Sequence, residues 1–310
     1  VILAFAVTPA FAVTPAFAVT PAFAVTGLAD AWTASDPAGP SLLQAVWLGL
    51  VEGLTEFLPV SSTGHLIVVQ RWLGLGESPA NNLFAVGIQM GAITAILVLY
   101  WRRLWAALTA LRQPRAAGPN LWLQIAVAAA PAVGLGLLLN RWIDAHLFSP
   151  WVVASTMLAG GVVLLWLERA LRGRPPVVED LPALGYRTAL WIGCWQCLAL
   201  LPGTSRSAAT LGGALWLGLS RPAAAEFSFL VGLPILYGAA VLKLWQGRAL
   251  LDGPFLLPFA VGSLVAFLSA LVVVRPFVAY VRRHDFAPFA WYRIAAGGLL
   301  LALCAAGWLA

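Results

Sequence analysis

Two short polar stretches lie inside apolar sequence: EGLTEFLPVSSTGHL over 52–66 and LLPGTSRSAATL over 200–211. They carry Glu52, Glu56, His65 and Arg206, four groups that cost free energy to hold at membrane depth. A charge at the bilayer centre costs roughly 2.5–3.5 kcal/mol on insertion scales, so such residues point to function. Glu52 and Glu56 stand four apart and share one face of a helix. Two like charges at that spacing need a cation, a shared proton or an arginine. A divalent ion held by carboxylate and phosphate oxygens fits, as Mg²⁺ or Ca²⁺. Ser61, Ser62, Thr63 and Gly64 follow a helix-breaking proline, and a new helix is expected to begin near His65. A helix N-terminus with hydroxyls and free N–H groups holds anions. His65 is a candidate acid–base or nucleophile. In the second stretch Gly203, Thr204, Ser205 and Ser207 repeat this pattern, and Arg206 adds a planar fork that matches phosphate oxygens. Carboxylates, hydroxyls, an imidazole and a guanidinium together suggest phosphate chemistry aided by a metal. Gln89 and Arg71 are further candidates to line the cavity. Glu226 is expected near one membrane face, in a helix N-terminal or repeat-interface role rather than a catalytic one.

The elements that position these groups are transmembrane. The 310-residue chain is 61% hydrophobic and 10% charged, with mean hydropathy +0.89. Soluble domains carry about 25% charged residues. Several apolar runs reach the 18 or more residues that a span needs, and none shows the alternation of a membrane barrel. The net charge of +6 comes from basic residues at the ends of spans, which speaks of topology and anionic lipid and not of nucleic acid. Cys194 and Cys197 form CWQC, a spacing shared with redox pairs, but their apolar helical run argues for packing, as does the position of Cys304.

Residues 4–26 repeat AFAVTP, and a proline in every copy excludes a regular helix. Residues 1–40, opening at Val1, read as a disordered extension outside the fold, with a degenerate secretory leader as the alternative. A single membrane domain is expected over 41–310. Its apolar segments fall at about 42–58, 62–75, 83–101, 121–139, 150–168, 188–201, 204–219, 227–246, 255–274 and 288–309. Loops 102–119, 169–187 and 275–287 are rich in arginine and should be cytoplasmic; 140–149 and 247–254 should face outward. The segment pairs 42–58/62–75 and 188–201/204–219 are short, turn at Pro, Ser, Thr and Gly, and read as re-entrant hairpins. FLPVSST at 57–63 aligns with LLPGTSR at 200–206, an offset of 143 that also sets Phe84 on Phe227. The expected fold is therefore an all-α polytopic membrane protein built as an inverted repeat, about 41–168 and 186–310. Each half is a re-entrant helical hairpin plus three transmembrane helices, and the two motifs meet between the halves.

The first motif, with PGTSRSAAT and the intervening GIQMGAI, closely resembles the undecaprenyl-pyrophosphate phosphatase family, also called bacitracin-resistance proteins, over about 41–310. Two positions depart from its pattern: Thr204, where an aromatic is common, and Ala208, where glycine is common. The repetitive N-terminus is foreign to it. The resemblance implies a multi-pass bacterial inner-membrane enzyme with its site open to the periplasm. It would hydrolyse undecaprenyl pyrophosphate to undecaprenyl phosphate and inorganic phosphate, recycle the carrier for peptidoglycan synthesis and confer bacitracin resistance. It also implies a divalent cation and places the family's acidic pair on Glu52 and Glu56, its serine on Ser62, its histidine on His65 and its arginine on Arg206. Ser62, His65 or an activated water remains open as the attacking group. A polyprenyl-phosphate transporter or flippase is the rival reading, since inverted repeats with broken helices are common in transporters. Besides lipid substrate and membrane lipid, a homodimer is compatible with the sequence.

Overall fold

The computed structural model describes residues 39–76, 78–110, 119–147, 149–251 and 253–309. The AFAVTP repeats, and with them the expected disorder of residues 1–38, lie outside that set, as do Arg112 and Arg115. The described residues form twelve α-helices and three 3₁₀ turns, with one isolated β-bridge, Val178 to Leu219, in place of any sheet.

Six elements are long and apolar enough to cross a bilayer. They are α3–α4 (Pro79–Gly87 and Gln89–Leu99, interrupted at Ile88), α6 (Leu121–His146), α7 (Pro150–Ala170), α10 (Arg221–Gln246), α11 (Gly253–Val281) and α12 (Ala287–Ala305). Four shorter helices make two hairpins: α1 (Leu42–Thr55) with α2 (Ser62–Trp72), and α8 (Tyr186–Gln196) with α9 (Arg206–Trp216). The remaining helix, α5 (Trp101–Ala110), occupies the first half of what the sequence suggests is a loop over 102–119. Three further boundaries move outward. α6 runs to His146, α10 starts at Arg221, and α11 continues through Arg275 and Pro276 to Val281. In each case polar or proline residues at a span end were read as loop, whereas a helix leaving the apolar layer keeps its own backbone bonds whatever its side chains.

Helix starts follow their side chains. Ser41, Ser78, Ser149 and Ser220 each accept a hydrogen bond from an N–H of the following first turn, and Pro79, Pro150 and Pro222 sit where a missing donor costs little. The hairpin turns differ. Ser61 and Ser205, the residues before α2 and α9, are the only non-glycine residues with positive φ among those described, at 71° and 69°. Their shared dihedral pairs Ser61 with Ser205, 144 apart, whereas the offset of 143 read from the sequence sets Ser62 on Ser205.

The two hairpins pack alike: α1 lies on α11 and α8 lies on α6, so the first arm of each rests on a long span. Both contacts rely on glycine: a Cβ on Gly49 would sit 2.3 Å from the Gly262 carbonyl oxygen, and one on Gly193 would sit 2.3 Å from that of Ala128. Small residues allow such close approach where apolar burial offers no drive between helices. α7 packs along α12, α4 on α10, and Phe84 and Phe227 are both fully buried. Thr94 and Tyr237, also 143 apart, hydrogen-bond to each other at 2.7 Å. Cys194, Cys197 and Cys304 are free thiols.

Gly49→Val and Gly193→Val are expected to cost roughly 1–3 kcal/mol through overpacking, read as a lower Tm of the purified protein in detergent. Gly298→Ala, whose new Cβ meets nothing within 4 Å, should leave Tm unchanged or slightly raised.

Candidate active site

The two hairpin turns touch. Arg206 opens α9, and its guanidinium donates from Nη2 to Oε1 of Glu56 at 3.1 Å and from Nη1 to the Ser228 carbonyl at 2.8 Å. The side chains of this ion pair are only 6% and 7% exposed. Glu56 caps the C-terminus of α1, where its N–H bonds the Glu52 carbonyl. Its other carboxylate oxygen, Oε2, accepts the Ser62 hydroxyl at 2.7 Å. Glu56 thus joins a buried serine of its own hairpin to an arginine from the other. Ser207 reinforces the junction by donating to the Leu58 carbonyl at 2.8 Å, and Ser205 in turn donates to Ser207 at 2.9 Å.

Glu52 is fully buried one turn below Glu56, against whose carboxylate its own lies, and no N–H or hydroxyl donor among the described residues reaches either of its oxygens. It lies within electrostatic reach of both Glu56 and Arg206. A buried polar atom without a partner costs about 1–3 kcal/mol, and more when charged, so this carboxylate has capacity for a ligand. No group of three His, Cys, Asp or Glu residues among those described could hold a metal unaided. A hard cation at a phosphate site needs only one or two protein carboxylates, with phosphate and water oxygens completing its shell. Glu52 and Glu56 fit that case.

His65 sits one turn along α2 from Ser62 and faces elsewhere. Its Nδ1 bonds the Ser61 carbonyl at 2.7 Å, and its Nε2 bonds the Tyr292 hydroxyl at 2.5 Å, with the two rings stacked. A carbonyl only accepts, so Nδ1 carries a proton, which leaves Nε2 of the neutral ring to accept from Tyr292. His65 has no hydrogen bond to Glu56, Ser62 or Arg206. Thr63 and Thr204 are half-buried in the two turns, and the Ser61 hydroxyl is buried without a partner. Gly203 takes φ 86° in the second turn, and a Cβ there would lie 2.3 Å from Thr156 Oγ1.

The remaining candidates are more distant in their contacts. Gln89 is buried at the start of α4 with Oε1 unpartnered. Arg71 lies nine residues beyond Ser62 on α2, about 14 Å along the helix axis, and donates to the Trp308 carbonyl. Glu226 pairs with Arg103 at 2.6 Å, a bond between the halves away from the hairpin turns.

Several further groups join the site. Arg293 on α12 is completely buried and donates to the carbonyls of Pro59, Thr156 and Gly203, so one guanidinium holds both turns. An arginine inside the last apolar run satisfies the same depth rule that singled out Glu52. The Thr156 hydroxyl donates to the Pro202 carbonyl. Ser228 and Gly232 form the seat of Arg206, where a Cβ on Gly232 would lie 2.6 Å from Nη1. Their spacing of four marks one helix face, but nothing in the sequence couples that face to Arg206.

Comparison with known proteins agrees with the motifs. The family model described as "Bacitracin resistance protein BacA" matches residues 45–299. The chain is 43% identical over 270 residues to "Undecaprenyl-diphosphatase 1" of Acinetobacter baylyi, covering 86% of this chain and 97% of that protein. It is 48% identical over 262 residues to "Undecaprenyl-diphosphatase" of Acidovorax ebreus (84% and 94% covered), and 47% over 269 residues to "Undecaprenyl-diphosphatase 2" of Rhodospirillum rubrum (86% and 96% covered).

Arg206→Met strips the buried Glu56 of its counter-charge and is expected to cost roughly 3–5 kcal/mol. Adding Glu56→Gln should recover much of that loss. Thermal unfolding of the two single variants and the double variant measures the coupling.

Proposed function

The chain belongs to the bacitracin resistance protein BacA family, and on that premise we propose that it hydrolyses undecaprenyl pyrophosphate to undecaprenyl phosphate and inorganic phosphate. Recycling of the lipid carrier for wall synthesis and bacitracin resistance follow from that activity. The observation that carries the reading is the buried Ser62–Glu56–Arg206 chain. Ser62 Oγ attacks the terminal phosphorus while Glu56 accepts its proton, as a base already in hydrogen-bond reach. The phosphoanhydride bond breaks, undecaprenyl phosphate leaves, and water then attacks the serine phosphate to release inorganic phosphate. The Arg206 guanidinium and the N–H groups opening α2 and α9 offset charge that builds on the phosphoryl oxygens. Hydroxyls of Ser61, Thr63 and Thr204 are the candidates to bind the remaining oxygens, with Ser205 acting through its bond to Ser207. Arg293 holds the two turns at a fixed separation. His65, oriented by Ser61 and Tyr292, fits proton exchange with water at the edge of the site better than attack. Mg²⁺ or Ca²⁺ on Glu52 and Glu56 would draw charge from the diphosphate.

The fold is read here as an inverted repeat with re-entrant hairpins. Support comes from the paired positive-φ serines, the reciprocal packing of α1 on α11 and α8 on α6, and the Thr94–Tyr237 bond. Residues related by a two-fold axis can touch each other only at that axis. Arg174, Arg221 and Arg282 line one space at the helix ends, which the positive-inside rule favours as cytoplasmic, and this supports the reading of a site open to the periplasm of the bacterial inner membrane. Paired broken helices also suit a flippase. Phosphate release by the purified protein separates the readings, since a transporter alone releases none.

Ser62→Ala, Glu56→Gln and Arg206→Ala should each lower phosphate release from undecaprenyl pyrophosphate by about 10²-fold or more, and His65→Asn by about tenfold or less. Acid-quenched enzyme should carry phosphate on Ser62; phosphate on neither Ser62 nor His65 would leave water as the attacking group. Chelation should abolish release, and added Mg²⁺ or Ca²⁺ should restore it.

A further inference from the structure

At the arginine-rich end of the bundle a second cavity, of about 490 Å³, opens between the ends of α7, α9 and α11, the start of α10, and the segment after α7. It is separate from the catalytic junction. Its lining residue Glu168 lies twelve residues along α7 from Thr156, about 18 Å at the helical rise. Arg174, Arg221 and Arg282 face it against one carboxylate, Glu168. That carboxylate is already committed: Oε2 pairs with Arg221 at 2.5 Å, and Oε1 accepts the Phe286 N–H at 2.9 Å. Arg221 Nε is buried without a partner. Neither Arg174 nor Arg282 has a carboxylate within salt-bridge distance among the described residues. Three arginines line one space, Arg174 and Arg282 exposed and Arg221 half-buried, with positive charge left over, and a tetrahedral phosphate oxyanion is the ligand that such forks match.

The wall of the cavity identifies the source of that phosphate. Trp216 lines it and stacks on Trp166, with ring centroids 5.5 Å apart and both rings exposed. Exposed tryptophans of this kind mark headgroup depth. Val177, 83% exposed, and the pair Pro175–Pro176 continue an apolar rim. The segment is held in place by backbone bonds of Val177 and Val178 to Gly218 and of Ser220 to Val178. A basic pocket between helices at that depth takes lipid headgroups.

We propose that this cavity binds the phosphate of an anionic phospholipid headgroup, with Arg174, Arg221 and Arg282 as its ligands and the Trp216–Trp166 face against the acyl chains. The site does not depend on the phosphatase reading.

Native mass spectrometry of the purified full chain in detergent tests it, with phosphatidylglycerol or phosphatidylcholine added. Wild type should retain phosphatidylglycerol about tenfold better than phosphatidylcholine. Arg174→Gln/Arg282→Gln should remove that preference with Tm and phosphate release unchanged. Arg172→Gln/Arg283→Gln removes the same charge from the same loops outside the cavity and should keep the preference. Equal retention of the two lipids by wild type overturns the proposal, as does equal loss in the two double variants, which would mean diffuse attraction. Displacement of bound phosphatidylglycerol by millimolar inorganic phosphate would make the site one for a soluble anion and overturn the lipid assignment.

Discussion

A carboxylate and a guanidinium 3.1 Å apart, each more than nine-tenths buried, tie the structure together at Glu56 and Arg206. Neither charge is tolerable alone in apolar surroundings, and they are 150 residues apart in the chain. Their pairing obliges the end of α1 to meet the start of α9, which obliges both hairpins to turn inside the bundle. The turns must then satisfy their own backbone groups. Ser207 and Arg293 do so by donating to carbonyls of Leu58, Pro59 and Gly203 across the junction. Gly232 leaves the volume that the guanidinium fills.

Polar capacity in this interior is distributed unevenly, and the unevenness is what suits it to chemistry. Glu56 has both oxygens engaged, which fixes its orientation toward Ser62. Glu52, one helical turn away, meets the Glu56 carboxylate but no N–H or hydroxyl donor among the described residues. A stable membrane protein would gain by replacing such a group with an apolar one. Its presence is understandable where a substrate or cation arrives to complete it. The second hairpin carries no carboxylate anywhere between Tyr186 and Trp216. The first hairpin thus supplies the carboxylates and the second the guanidinium of Arg206, and a diphosphate with its cation would use both.

Much of this was legible in the residues. The six spans and the two short broken pairs follow from apolar run length and from proline placement. Glu52, Glu56, Ser62 and Arg206 stand out because charges and hydroxyls are costly in such runs. The misreadings have specific causes. The span ends were cut short at Arg275 and Pro276 because side-chain polarity says where the apolar layer stops and not where the helix stops. The sequence offset sets Ser62 on Ser205, whereas the shared positive φ pairs Ser61 with Ser205, a difference that only the backbone dihedrals show. His65, adjacent in sequence to the hydroxyl cluster, turns to Tyr292 from a helix 227 residues away.

Composition and spacing determined by themselves that the chain crosses a membrane, that it carries two related polar turns, and which residue types those turns hold. These are local properties, written in hydropathy and in the cost of a charge or a proline where it stands. Which oxygen meets which proton was decided only by tertiary structure. The Ser62–Glu56–Arg206 chain, the seat of Arg206 on Ser228 and Gly232, and the bridging Arg293 each depend on helices from distant parts of the chain approaching within hydrogen-bond distance. That approach is set by glycine contacts such as Gly49 on Gly262 and Gly193 on Ala128, and partners of this kind leave no mark in each other's local sequence.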